Sequence, residues 1–197
     1  MSRTATASRT TSETEISLSL ALDGAGGGNR VTGVGFFDHM LDSLARHGHL
    51  DLDVDARGDL ETGAHHTVED TALLLGRALD EALADRAGVV RFGDARVPMD
   101  EARASAAIDL SGRPLCVFEG RGLPAMTIGG FDTDLCEEFM RAVASTARMT
   151  LHVRIEAGRS AHHMVEAAFK AFARALRAAV AIDPEAGGDV PSTKGVL

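Results

Sequence analysis

One short motif occurs twice in this 197-residue chain, and the repeat limits which folds the chain can adopt. The copies are HHTVE (residues 65–69) and HHMVE (residues 162–166), which start 97 positions apart. Each copy opens a stretch with apolar residues at helical spacing and follows a stretch in which apolar and polar residues alternate, as in a half-buried strand. The alternating stretches, 50–54 and 149–153, are 99 positions apart, so the difference of two residues falls in the loop before the motif. Because loops tolerate changes in length, we predict two copies of one structural unit.

The same order of elements is predicted in both halves. In the first half, the patterns predict strands at 14–22 and near 31–36, a helix at 37–47, a strand at 50–54 and a helix at 64–83. In the second half, they predict strands at 106–110 and 115–118, a helix after Asp132 or Asp134, a strand at 149–155, and a helix capped by Ser160.

These elements predict an α+β fold of two fused β-β-α-β-α repeats, each a small sheet with helices on one face. The predicted boundaries are a polar N-terminal tail at 1–8, a first repeat at 9–90, a second repeat at 91–184 and a C-terminal tail at 185–197. The segment 85–101, which contains Gly88, Gly93 and Pro98, is expected to be partly extended.

Composition and charge exclude several classes of function. Hydrophobic residues make up 45% and charged residues 25%, which is ordinary for a globular protein. The net charge of −9 argues against a general nucleic-acid or anionic-membrane surface, although a phosphorylated small substrate needs only a few local basic groups. Cys116 and Cys136 do not make a disulfide framework, and no apolar run is long enough to span a bilayer. The first dozen residues lack the apolar segment of a secretory signal, so we expect a cytoplasmic location, with an organelle transit segment as the alternative.

The paired histidines predict metal binding at two sites. Adjacent residues on a helix point about 100° apart, so His65 and His66 cannot easily hold the same ion. Glu69 lies four and three residues further on, where it can join one of the two histidines. Each motif therefore offers ligands to two metal sites and completes neither of them. Both sites would be complete if two ions each took one histidine from each repeat. Imidazole and carboxylate ligands without thiolate suit Mn, Fe, Co or Zn.

Plainer explanations exist for a single motif, and other functions remain open at this point. One histidine pair could simply cap or solvate a helix start, but two copies with matching glutamates favour metal. The order differs from the HExxH of zinc metalloproteases. A dimetal hydrolase that uses metal-bound hydroxide would need no imidazole substrate. A metal-storage or assembly protein would need no basic phosphate pocket.

Longer strings carry a resemblance to a known family. The chain resembles the imidazoleglycerol-phosphate dehydratases of histidine biosynthesis from about Arg9 to its C-terminus. The strings that carry the resemblance are GFFDHMLDSLARHGHLDL, GAHHTVEDTALLLGRAL, VPMDEA, DLSGRP, TLHV, HHMVEAAFKAFARAL and PSTKGVL. The resemblance implies a duplicated fold of the ribosomal protein S5 domain 2-like class, a homo-oligomer of 24 subunits with active sites at subunit interfaces, and two Mn²⁺ ions per active site.

The resemblance also implies roles for particular residues. The implied metal ligands are His39, His65, His66, Glu69, Glu138, His162, His163 and Glu166. Glu138 departs from the histidine that is often found at this place in the family, and it lies 99 positions after His39. The implied substrate-binding residues are Glu13, Arg91, Arg113, Ser192, Thr193 and Lys194. Guanidinium, ammonium and hydroxyl donors suit a phosphate.

The implied reaction removes water from D-erythro-imidazole-glycerol phosphate and yields imidazole-acetol phosphate. The substrate has no carbonyl next to the C–H bond that must break, so a metal on its imidazole would favour an imidazolate-like intermediate. A carboxylate would take the C–H proton, and another acid would assist the loss of hydroxide. The candidates for these catalytic steps are Glu69 and Glu166, with Asp100 as a further participant.

Overall fold

The computed structural model describes residues 2–195. In it, the first repeat forms a four-stranded sheet with one face buried. Its strands are β1 (Thr4–Thr10), β2 (Thr14–Ala21), β3 (Arg30–Val31) and β4 (Asp51–Gly58). They lie in the order β1-β2-β4-β3, with antiparallel neighbours except for β3, which runs parallel to β4. Along β2, Ile16, Leu18 and Leu20 are buried, while Glu15 and Ser17 are exposed. The alternation in the sequence is therefore that of a sheet with one face in the core.

The second repeat has the same sheet topology. Its strands are β5 (Phe92–Met99), β6 (Ala102–Asp109), β7 (Leu115–Glu119), the short β8 (Thr127–Ile128) and β9 (Phe131–Asp132), and β10 (Thr150–Ala157). The sheet order is β5-β6-β10-β7, again with only the last pair parallel, and β8 and β9 form a separate hairpin. The predicted duplication is thus confirmed in the topology, and the hairpin is an addition of the second repeat.

Four helices join the two repeats through one core. They are α1 (Gly35–Gly48), α2 (His65–Leu83), α3 (Leu135–Thr146) and α4 (Ala161–Val180). α2 covers β1 and β2, α4 covers β5 and β6, α1 packs on α4, and α3 packs on α2. The ring of Phe139 lies 5.7 Å from that of Phe37 and 4.8 Å from that of Phe169, so aromatic contacts cross from one repeat to the other. As a result, α1 of the first repeat lies beside α4 of the second.

Each repeat begins with an edge strand that the predicted β-β-α-β-α order does not contain. The prediction of a polar tail at residues 1–8 is wrong, because most of this segment belongs to β1 and pairs with β2, with Ala5 opposite Leu20. β5 is the corresponding strand of the second repeat and lies within the segment that was expected to be partly extended. An edge strand that buries one face through small residues such as Ala5 and Gly93 has only a weak apolar alternation.

The chain after α4 folds back against the loop before β5. The Gly88 N–H donates to the carbonyl of Asp189 at 2.9 Å, and the Asp183 N–H donates to the carbonyl of Gly88 at 2.8 Å. The predicted C-terminal tail therefore lies beside the start of β5 as far as Pro191, while residues 196 and 197 lie outside the described part. The repeat boundaries at 90 and 184 stay predictions. No helix within residues 2–195 is long and apolar enough to cross a membrane.

Candidate metal centre

Both HHxxE motifs lie in the first turns of helices, α2 and α4, as the spacing predicts. At the start of α4, the Ser160 hydroxyl accepts a hydrogen bond from the His163 backbone N–H at 3.4 Å, so the predicted cap is confirmed. The rings of His65 and His66 are inclined at 89° to one another, and those of His162 and His163 at 81°. The two histidines of each pair therefore point in different directions.

Three of the predicted ligands meet where α1 packs on α4. His39, His162 and Glu166 each offer one ligand atom, and these atoms all lie within 4.8 Å of one another. Glu166 Oε2 lies 3.2 Å from His162 Nε2 and 3.7 Å from His39 Nε2. The edge of Phe36 packs on the His162 ring, with 4.9 Å between the ring centroids. Two imidazoles and one carboxylate, drawn from both repeats, thus form a group suited to a divalent transition metal.

A lysine that the sequence reasoning missed holds the carboxylate of this group. Lys170 Nζ lies 2.7 Å from Glu166 Oε1, and both side chains are largely buried. Burial acts to raise the pKa of Glu166, but the hydrogen bond and charge of Lys170 outweigh it, so the pKa lies below its usual value. Glu166 is therefore a charged carboxylate at neutral pH, with Oε2 turned towards the histidines. Lys170 could have been found from its position four residues after Glu166 on the same helix face.

An open cavity lies beside this group. It has a volume of about 370 Å³, and its wall includes His39, Glu166 and Lys170. His39 is half exposed, so the group can be reached from outside the subunit.

The HHTVE motif at the start of α2 has a related but looser arrangement. His65 Nε2 lies 3.6 Å from Glu69 Oε2, and both side chains are exposed. Glu138 is half-buried on α3, which packs on α2 as α1 packs on α4. Within residues 2–195, a compact set of three ligand atoms forms only at His39, His162 and Glu166.

The second histidine of each pair contacts a carboxylate outside the motif. His66 Nδ1 lies 3.0 Å and 3.1 Å from the two carboxylate oxygens of Asp59, and His163 Nδ1 lies 2.7 Å from Glu101 Oε2. These hydrogen bonds raise the pKa of each histidine. Backbone N–H groups at Ser160 and Arg159, together with His163, lower the pKa of Glu101 to about 2.

Two other predicted residues lie close to these histidines. Glu13 Oε2 is 3.9 Å from His66 Nδ1, in the turn between β1 and β2. Asp100 Oδ2 is 3.7 Å from His163 Nε2, in the turn between β5 and β6, and its side chain is exposed. Both carboxylates are therefore near the motifs, although neither belongs to the compact group.

Two of the predicted phosphate-binding residues, Arg91 and Arg113, form a separate cluster around Asp109. Arg91 Nε lies 2.7 Å from Asp109 Oδ1, and Arg113 Nη2 lies 3.8 Å from Asp109 Oδ2. The Arg91 guanidinium also donates to the carbonyl of Pro191 at 2.7 Å, which brings the tail to the cluster. The tail residues concerned are Ser192, Thr193 and Lys194, of which the last donates its backbone N–H to Ser192 Oγ at 3.2 Å.

These two groups lie at opposite ends of α4. The Arg91 backbone N–H donates to the carbonyl of Ala179 near the end of the helix, whereas His162 is in its first turn. At a rise of about 1.5 Å per residue, the helix separates them by about 26 Å. Along α4, the predicted metal ligands His39, His162 and Glu166 therefore lie far from the predicted phosphate-binding residue Arg91 within one subunit.

Comparisons with known proteins agree on one family. A family model described as imidazoleglycerol-phosphate dehydratase matches residues 32–176. An imidazoleglycerol-phosphate dehydratase of Frankia casuarinae is 56% identical over 197 residues, which is 100% of both chains. That of Lacticaseibacillus casei is 54% identical over 195 residues, covering 99% of this chain and 100% of the relative.

Solved structures with the same name share the fold. The enzyme from Staphylococcus aureus matches with a TM-score of 0.82 at 38% identity, over 91% of this chain and 99% of its own. The enzyme from Pyrococcus furiosus, solved in complex with (S)-C348, matches with a TM-score of 0.83 at 36% identity, over 97% of this chain and 100% of its own.

Proposed function

This chain belongs to the imidazoleglycerol-phosphate dehydratase family, hydro-lyases of histidine biosynthesis, and from this we propose that it is a metal-dependent enzyme with a site shared between subunits. Its substrate would be D-erythro-imidazole-glycerol phosphate and its product imidazole-acetol phosphate. The observation that carries the metal dependence is the convergence of His39, His162 and Glu166 from two repeats. A cytoplasmic location and an assembly of 24 subunits are part of the same proposal.

The donor set fits a divalent transition metal. Bonds from such a metal to nitrogen and oxygen ligands are about 2.0–2.2 Å long, so donor atoms within 4.8 Å of one another need only small rotamer changes to bind one ion. We propose Mn²⁺, with two ions in each active site. His39, His162 and Glu166 would contribute to holding one ion and His65, Glu69 and Glu138 to the other, with His66 and His163 as further ligands. Bound metal would supply Lewis-acid polarisation of the substrate imidazole.

The protein's own side chains would bind the phosphate and move the protons. Arg91, Arg113 and the tail residues Ser192, Thr193 and Lys194 would bind the phosphate, because they offer guanidinium, ammonium and hydroxyl donors and Arg91 contacts the tail at Pro191. Glu13 would contact the substrate from the turn beside His66. Glu69 and Glu166, with Asp100, would transfer the proton from carbon and assist the departure of hydroxide.

The separation of the two ends supports an active site shared between subunits. The substrate has an imidazole ring, three further carbons and a phosphate, and each bond spans about 1.5 Å. Such a molecule is far shorter than the roughly 26 Å between His162 and Arg91 along α4. One subunit would therefore supply the metal end of a site and a neighbouring subunit the phosphate end.

The activity is tested by loading metal-free protein with Mn²⁺ and adding imidazole-glycerol phosphate. The expected result is the enolisable ketone product, formed only with metal. A protein that binds Mn²⁺ but yields no ketone would contradict the proposal and would favour a metal-storage role. Release of inorganic phosphate instead of the ketone would favour a dimetal hydrolase.

The carboxylate roles are tested with Glu69→Gln and Glu166→Gln. General acid or base catalysis contributes about 10²–10⁴-fold, so each variant is expected to lose at least about 100-fold in kcat with Mn²⁺ bound. Glu137→Gln is the control, because Glu137 pairs only with Arg141 on the exposed face of α3. Full turnover in both variants, with Mn²⁺ content equal to that of wild type, would refute the assignment.

A further inference from the structure

The second histidine of each HHxxE pair has one ring nitrogen occupied by a carboxylate of its own repeat. His163 Nδ1 lies 2.7 Å from Glu101, and His66 Nδ1 lies about as close to both oxygens of Asp59, at 3.0 Å and 3.1 Å. An ionised carboxylate only accepts hydrogen bonds, so the proton of the neutral ring stands on Nδ1. The lone pair of the ring is then on Nε2.

The two repeats reach this contact with carboxylates from different places. Asp59 follows β4. The register shift after Ile155 of β10 raises the offset between the repeats to 100, so the corresponding position in the second repeat is Arg159, which has no carboxylate to offer. There the contact is made by Glu101, from the turn between β5 and β6. Leu18 of β2 pairs with Val54, and Ala106 of β6 pairs with Val153, so β6 follows β2 at an offset of 88 residues. At that offset, the residue of the first repeat that corresponds to Glu101 is Glu13. The two repeats thus share a carboxylate contact at Nδ1, although the carboxylates come from positions that do not correspond.

Glu101 is itself held in place before it contacts the histidine. Its Oε1 accepts backbone N–H groups from Arg159 at 3.1 Å and Ser160 at 2.8 Å, in the loop that leads into α4. Its Oε2 is therefore fixed in the direction of His163. Asp59 is held in a similar way, since the Thr62 hydroxyl donates to its Oδ2 at 3.1 Å.

We infer that Glu101 and Asp59 are positioning residues that keep Nε2 of His163 and His66 free to bind metal. The inference rests on the proposed metal-dependent function and extends it beyond the ligands. The first histidines of the pairs and His39 likewise turn Nε2, and not Nδ1, towards a glutamate of the predicted ligand set. Carboxylates that accept the second N–H of a ligating histidine fix the ring and strengthen its binding.

Glu101→Gln tests this inference with little change in shape. The amide oxygen can keep the two backbone hydrogen bonds, which turns the NH₂ group towards His163. An NH₂ group donates, so Nδ1 must accept and the neutral His163 ring carries its proton on Nε2. Nε2 then has no lone pair with which to bind the metal. We expect Mn²⁺ affinity, measured by titration of the free Mn²⁺ signal in electron paramagnetic resonance, to fall about 10- to 100-fold. The thermal midpoint of the metal-free variant is expected to match that of the control, and added Mn²⁺ should restore kcat.

The control is Glu119→Gln, which alters an ion pair with Arg154 on the outer face of the second sheet. Equal Mn²⁺ affinity in Glu101→Gln and Glu119→Gln would overturn the inference while leaving the metal-dependent function intact. Failure of the wild-type protein to bind Mn²⁺ would instead contradict the proposed function. If Glu101→Gln does not fold, Asp59→Ala provides the same titration at His66, with the same loss expected and unchanged affinity as the contradicting result.

Discussion

Glu166 and Glu69 occupy matching places in the two repeats, but only Glu166 has a cation beside it. Lys170 lies one helical turn after Glu166, and the matching residue after Glu69 is Leu73. Glu166 is buried with both oxygens in contact with neighbours, whereas Glu69 is partly exposed and contacts only His65 closely. The duplication has therefore produced two carboxylates in different environments, and the one at α4 depends on a buried ion pair.

Lys170→Met is expected to destabilise the metal-free protein. The substitution keeps the length and the apolar stem of the side chain but leaves a buried carboxylate without its partner, which typically costs about 3–5 kcal/mol. Urea denaturation at fixed protein concentration measures the loss. Arg154→Met is the matched control, because its partner Glu119 is on the surface, where such a pair contributes about 0–1 kcal/mol. Equal losses in the two variants would show that Lys170 does not stabilise Glu166.

At the scale of elements, the sequence predicts the helices and central strands that fill the core, but it does not predict the edge strands or the hairpin of β8 and β9. The helices and the central strands have apolar residues on one regular face, so their positions follow from periodicity. The edge strands β1 and β5 turn small residues inwards, and the hairpin of β8 and β9 buries one large side chain, Phe131. Phe131 packs against Phe36 and Phe37 of α1, so this hairpin supports the helix that carries His39. Its role depends on a contact between repeats, which a pattern within one segment cannot reveal.

Gly76→Ala tests the close contact of α2 with α3. A Cβ atom at Gly76 would lie 2.1 Å from Thr146 Oγ1 and 2.5 Å from the carbonyl of Val143. The helices would have to separate, so we expect a loss of about 1–3 kcal/mol or more in the free energy of unfolding, measured by denaturation. Gly35→Ala is the control in α1, because a Cβ atom there meets nothing within 4 Å, and it is expected to be neutral or slightly stabilising. A Gly76→Ala variant as stable as Gly35→Ala would contradict this description of the packing.

At the scale of the molecule, the sequence predicts the two motifs but not which residues come together. Geometry along a helix predicts that His162 and His163 diverge, yet the meeting of His39 with His162 depends on the packing of α1 on α4. Glu101 is 62 residues from His163 in sequence and becomes its neighbour only through the sheet, whereas Asp59 lies seven residues before His66, in the connection between β4 and α2. The resemblance predicts both the metal ligands and the phosphate-binding residues, but only the fold shows that His162 and Arg91 lie at opposite ends of α4.

Reassembly of mixed subunits tests whether one site uses two chains. Glu166→Gln removes a residue of the metal end and Arg113→Ala one of the phosphate end, and each variant alone is expected to be nearly inactive. If the ends come from different subunits, an equal mixture that is dissociated and reassembled contains intact sites, and about a quarter of wild-type turnover returns. If both ends belong to one subunit, the mixture stays inactive. The double variant mixed equally with wild type gives an independent check. A shared site predicts about a quarter of full turnover and a site within one subunit about a half, with reassembled wild type as the reference.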